Sequence, residues 1–216
     1  KKLFGKQTTL TKDYRNDEKI IELRDFVSTN FDNPVKLYKK FMNCNDFDYI
    51  HKDHHITYTH KTRISINNQI MKHRKFVFDP KKGIVSVGVI LSGRINNSKL
   101  GIVKNARYKV VATDDENVIF NTGLIVCKSS LIYFRLGFAI TSHSAQGLTI
   151  VEPMAIHDIK KMIYSEPRIL YTAITRAKEF DKISLIYFEK HLNQAEPLAF
   201  LDIDDDFEEK DKLFQV

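Results

Sequence analysis

Pro167 to Phe180 reads PRILYTAITRAKEF, and the reading of the whole chain turns on it. Proline suits the first turn of a helix, where its missing N–H costs nothing, and Ser165 or Glu166 is placed to cap it. On that helix Ile169, Ala173 and Ala177 share one stripe, while Thr172 and Arg176 share another. The apolar stripe calls for burial. The run Thr175-Arg176-Ala177-Lys178 calls for something else: Arg176 is expected to project from the far end of the helix, off the packed face. A guanidinium there fits either a surface ion pair or a negatively charged group brought from outside.

Outward from this helix the chain alternates strands and helices. Ile20, Ile21, Leu23, Phe26 and Val27 have helical spacing, which predicts a helix from Asp17 to about Ser28 with Asn16 or Asp17 as N-cap. A second helix is expected over Pro34 to Met42. A short strand, Ile56 to Thr59, and a helix from about Arg63 to Lys72 follow. Between Lys81 and Leu131 the texture changes. Gly83, Gly88, Gly93, Gly101 and Gly123 punctuate Val- and Ile-rich runs such as GIVSVGVIL and ARYKVVAT, the pattern of a small β-barrel or sheet. The α/β texture then returns with LIYFRLGFAITSHSAQGLTI, the Pro167 helix and a strand in KISLIYF. The expected fold class is therefore α/β, one RecA-like domain with a parallel sheet, interrupted by a small β-barrel insert. The boundaries expected are 1–80 and 132–200 for the two parts of that domain, 81–131 for the insert and 201–216 for a tail.

Bulk properties narrow the partners. At 216 residues, with 43% hydrophobic and 28% charged residues, the chain has an ordinary globular composition. It contains no apolar run of the ~18 residues a membrane helix needs, so no membrane association is expected. The net charge of +7 is segregated: Asp202 to Asp211 holds seven acids and one lysine, leaving +13 on the remainder. A basic body with an acidic tail points to a polyanion, phosphate backbone first; a generally lysine-rich composition explains the charge equally well. The two cysteines, Cys44 and Cys127, have no CxxC spacing and suit a reducing, intracellular compartment. His51, His54 and His55 in HKDHH have no cysteine nearby, and no metal site is expected. The start, KKLFGKQTTL, is read as an internal cut of a longer protein.

Taken together, GFAITSHSAQGLTI and ILYTAITRAKE resemble motifs V and VI of the superfamily 1 helicases, in that order. LTKDYRND, Leu10 to Asp17, is similar to motif IV, and ITYTHKTRISINNQI to the strand–helix that opens the second motor domain. GVILSGRINNSKLGIVKNARYKVV is similar to the small β-barrel that RecD-like and PIF-like helicases carry at this point. The resemblance extends to about His191; each motif alone is weak, and their order makes the match.

The resemblance implies the C-terminal motor domain of an ATP-dependent DNA helicase. Arg15 and Arg176 would be arginine fingers reaching ATP and Mg²⁺ held mainly by an absent N-terminal RecA-like domain, where they stabilise charge on the transferring γ-phosphoryl group. Tyr14 matches a position against the adenine base, or else a core tyrosine. Thr141, Ser142 and His143 would contact phosphates of single-stranded nucleic acid, DNA favoured over RNA, while Gln146 and Gly147 link that contact to the nucleotide cleft. Thr59, His60 and Asn67 are further candidates for strand contact. Ser144 stands where the family usually has Lys, His60 where it commonly has Asn, and Thr149 where many relatives have Glu, closer to the PIF-like pattern. A large DNA virus is a guess at the source, and DNA replication at the role. No GxxxxGK[ST] phosphate loop occurs, so this stretch alone is expected not to hydrolyse ATP. The rival readings are an RNA helicase of the same superfamily and a catalytically inactive strand-binding module.

Overall fold

The computed structural model describes residues 16–44, 46 and 48–187. Tyr14, Arg15 and the acidic stretch 202–211 lie outside them. In chain order the elements are α1 (Glu18–Ser28), α2 (Pro34–Phe41), β1 (His54–Thr57), α3 (His60–His73), β2 (Phe78–Asp79), β3 (Ile84–Val85), β4 (Ile90–Gly93), β5 (Arg107–Thr113), β6 (Asn117–Phe120), β7 (Ile125–Cys127), β8 (Phe134–Leu136), β9 (Ala139–Thr141), β10 (Met154–Ile156), α4 (Ile159–Ser165), α5 (Pro167–Ile174) and β11 (Ile183–Leu185).

Four short strands form a parallel sheet in the order β11-β10-β1-β9. A parallel sheet must be covered on both faces, and the pleat sorts its residues accordingly. Ile56, Ile140, Met154 and Ile156 join the core built with α1, α2, α4 and α5; Ala139, on the opposite face, joins Ile66, Ile70 and Met71 of α3. The fold is thus α/β around a parallel sheet, as the alternation of elements requires.

The glycine-punctuated region forms a five-stranded antiparallel sheet, order β7-β6-β5-β4-β8, beside the hairpin β2–β3. Its pairing runs linearly from β7 to β8, where a barrel was expected. Phe134–Leu136, which the sequence assigns to the returning α/β portion, pairs with β4, because Leu91 and Leu136 bury each other there. A shared core with α3 and an ionic clasp tie this sheet to the parallel layer. Arg107 donates to the Asp53 and Gly137 carbonyls, while Arg74 and Lys109 both reach the Asp53 carboxylate. Burial pushes the Asp53 carboxyl up, but those two cations outweigh it and hold it below the usual carboxylate range.

Several local expectations are corrected. The strand predicted at Ile56–Thr59 lies two residues earlier, because Thr59 caps α3 by accepting the Thr62 N–H. That helix starts at His60 instead of Arg63. The helix of Pro167 stops at Ile174, with Glu166 at its N-cap position but giving no side-chain cap. Arg176 and Ala177 are therefore beyond the helix: Ala177 leaves it to bridge Ile150 in parallel. Helix α4 was not foreseen.

Candidate functional site

In open α/β sheets, ligands bind at the carboxyl ends of the strands, and the Thr59–His60 and Thr141–Gly147 candidates lie there. Thr57 and Thr141 are register partners at the ends of β1 and β9. The Thr57 carbonyl accepts both the Ser142 N–H, at 2.8 Å, and the Ser142 hydroxyl, at 3.1 Å. The turn after β9 is thereby fastened to the turn after β1.

The hydroxyls of this turn face inward. Ser142 is buried and committed to Thr57, and Thr141 is buried with its Oγ1 accepting the Ser144 N–H at 3.3 Å. The turn instead exposes His143, Gln146 and Gly147. Gly147 has φ +85° with open space where a Cβ would lie, so its backbone conformation, not crowding, calls for glycine. In the neighbouring turn His60 is exposed and Thr59 half-buried. Asn67 is elsewhere: only 2% exposed, it donates to the Arg63 and Ala139 carbonyls and accepts the Ala139 N–H. Its amide is spent securing α3 to β9, so it is corrected from a strand contact to a scaffold residue.

Arg176 sits where three distant segments meet. The Ile150 N–H donates to the Arg176 carbonyl at 2.7 Å, and the Lys178 N–H to the Ile150 carbonyl at 3.0 Å. The guanidinium donates to the carbonyls of Thr172 (3.0 Å) and Leu148 (3.2 Å) and to the Thr175 hydroxyl (3.0 Å). Leu148 directly follows Gly147, so this side chain touches the end of the His143–Gly147 turn. The third segment is Asn16-Asp17. The Asn16 amide donates to the Ala177 carbonyl at 2.6 Å, and the Asp17 N–H to the Lys178 carbonyl at 3.0 Å. One oxygen of the Asp17 carboxylate caps α1 at Ile20, and the other accepts the Phe180 N–H at 2.7 Å. Residue 16 is thus hydrogen-bonded to the residue that follows Arg176.

Sequence reasoning named Asn16 and Asp17 only as caps and missed Asp158, a buried carboxylate beside the β1–α3 turn. Nothing local marks it; only the parallel pairing of β1 with β10 does. The histidines of HKDHH disperse. His51 stays exposed, and His54 contacts Arg107 and Glu152. His55 is buried with its Nδ1 3.0 Å from His157 Nε2. Among the described residues no three His, Cys, Asp or Glu side chains cluster to hold a metal ion, and no helix is long and apolar enough to cross a membrane.

No family model and no curated protein sequence matches this chain. Solved structures of Pif1 helicases do match it in fold. Bacteroides Pif1 bound to single-stranded DNA superposes with a TM-score of 0.57 at 18% identity, covering 93% of this chain and 56% of that one. Pif1 helicases studied for DNA unwinding at forked duplex DNA give 0.56 at 21% identity, covering 94% and 54%. Candida albicans Pif1 gives 0.50 at 12% identity, covering 94% and 60%. The chain has the RecA-like α/β fold found in these helicases, and it spans little more than half the length of each.

Proposed function

We propose that this chain is the C-terminal motor domain of an ATP-dependent DNA helicase of the RecD/PIF-like branch of superfamily 1. In this reading Arg176 and Arg15 act on ATP and Mg²⁺ held by an N-terminal RecA-like domain, and the turns after β1 and β9 grip single-stranded DNA. The observation that carries it is the three-way junction. The segment beside Arg15 and the end of the His143–Gly147 turn are each hydrogen-bonded to the Arg176 segment, which joins them. A shift at one of them is felt at the others, which is what coupling between nucleotide and strand requires.

The residues fit a phosphate-rich ligand as donors and not as metal ligands, so ATP brings its own Mg²⁺ and this chain supplies cationic charge. The Thr172 and Leu148 carbonyls hold the Arg176 guanidinium before any nucleotide arrives, which lowers the ordering cost of stabilising γ-phosphoryl charge. His143, Gln146 and His60 are the exposed donors for strand phosphates, while Thr141 and Ser142 shape the turn that presents His143. Bacteroides Pif1 has been solved both with single-stranded DNA and with ADP-AlF3 and single-stranded DNA, which favours a DNA strand over RNA.

The test is ATP hydrolysis by the complete protein with single-stranded DNA or RNA of equal length. The reading expects strong stimulation by DNA and loss of turnover in Arg176→Ala. Unchanged turnover in that variant, or hydrolysis indifferent to either strand, overturns it.

A further inference from the structure

Asp158 is a carboxylate in an unusual position. Its side chain is fully buried, and its backbone is left-handed, φ 59° and ψ 22°, a conformation that most residues with a Cβ avoid and that Asp and Asn tolerate best after glycine. Burying a carboxylate is costly unless its lone pairs are filled, and here both oxygens are. One accepts the backbone N–H groups of Tyr58, at 3.1 Å, and Thr59, at 3.2 Å. The other accepts the Thr62 hydroxyl at 2.9 Å and the Lys161 ammonium at 2.6 Å.

These bonds have a direction. An ionised carboxylate only accepts, so Thr62 must give it the hydroxyl proton. The Thr59 hydroxyl, 2.9 Å from that of Thr62, must then donate to Thr62. Thr59 also accepts the Thr62 N–H at 3.1 Å. Its hydroxyl proton is therefore turned away from any phosphate, and the side chain works as scaffold. Two donors are left facing outward, His60 and Lys61; His60 directly follows the cap, so its position is dictated most closely by the turn that Asp158 holds from below.

Asp158 also stands at the N-cap position of α4, which packs on α5 immediately before Arg176. We infer that Asp158 is a positioning residue: it fixes the Tyr58–Thr62 turn so that His60 meets a strand phosphate, and it ties that turn to the helix pair leading to Arg176. This rests on the strand-gripping reading above.

The experiment uses the complete protein and a fluorescein-labelled sixteen-residue oligothymidylate in an anisotropy titration. Asp158→Asn removes the charge and sets an amide N–H₂ against either the two backbone donors or the Lys161 ammonium, and Thr62→Val removes only the hydroxyl link. Each should weaken binding about ten-fold, the loss of one charge-assisted hydrogen bond. Each should also speed amide hydrogen exchange across residues 58–62. The deciding measurement repeats Asp158→Asn in a His60→Ala background. If Asp158 acts through the turn, it costs far less there than in the wild type. Equal losses in the two backgrounds, or unchanged exchange in the 58–62 turn, overturn the inference and leave the helicase reading standing. A wild type that binds no oligonucleotide overturns both.

Discussion

The two sheets of this protein bury different kinds of residue. The antiparallel sheet is filled by rings: Tyr108, Phe120 and Phe134 pack with centroids 5.2–5.5 Å apart and are at most 4% exposed. The parallel layer buries Thr57, Thr141, Ser142, His55, His157 and Asp158 near the ends of its strands. Buried polar groups cost stability unless every one is paired, and apolar packing avoids that cost. The contrast teaches that the first sheet holds shape by area, while the second spends stability to fix the direction of a few polar groups. That is the pattern expected where a phosphate-bearing ligand must be met by donors in fixed places.

The largest effect that would break this comparison is catalytic. Arg176→Ala in the complete protein should lower strand-stimulated ATP turnover about 10³-fold or more, the scale of an arginine finger, read by a steady-state hydrolysis assay. Its folding midpoint should fall less than that of a core variant, since Arg176 is only half-buried. Phe134→Ala, in the antiparallel core, should do the reverse. Chemical denaturation should show a loss of about 3–5 kcal/mol from the cavity it leaves, with oligonucleotide affinity retained in whatever remains folded.

A pH titration of stability sharpens the contrast further. Burial lowers the His55 pKa to about 4 and takes His157 well below its ordinary value. Both are therefore neutral when folded, whereas the unfolded chain protonates them near 6.5. Between those limits the unfolded state binds more protons, so stability is complete above about pH 6.5 and declines as pH falls toward 4. Urea midpoints across that range should show the decline, on the order of 3 kcal/mol by pH 4 for His55 alone. Replacing His157 with Leu should flatten the slope. The smallest effect belongs to Ser142→Ala. Losing its 3.1 Å bond to the Thr57 carbonyl should cost about 1 kcal/mol, measurable as a shifted denaturation midpoint.

Much of this was legible in the residues. Alternating strand and helix patterns announced the parallel layer, and glycine-punctuated Val and Ile runs announced the antiparallel one. A cap was readable where a local side-chain bond makes it, as at Asp17. Boundaries failed where tertiary bonds outbid local pattern. Arg176 and Ala177 fit the helical stripe, but pairing with Ile150 draws the chain off the helix. Thr59 alternates like a strand residue, yet its hydroxyl caps α3. Asn67 was a strand-contact candidate only through the resemblance, and the backbone of β9 that it clamps is about seventy residues away along the chain.

What the sequence determined by itself was the inventory: which segments are amphipathic, which turns carry histidine and arginine, and in what order they come. Those follow from local sterics and hydrophobic period, which act over a few residues. Only the tertiary structure decided which polar groups point outward. Asn16, Leu148, Arg176 and Ala177, and likewise Asp158 and the Thr59–Thr62 cap, become neighbours through long-range pairings that no short-range rule encodes. Once together, their hydrogen bonds fix one another's direction.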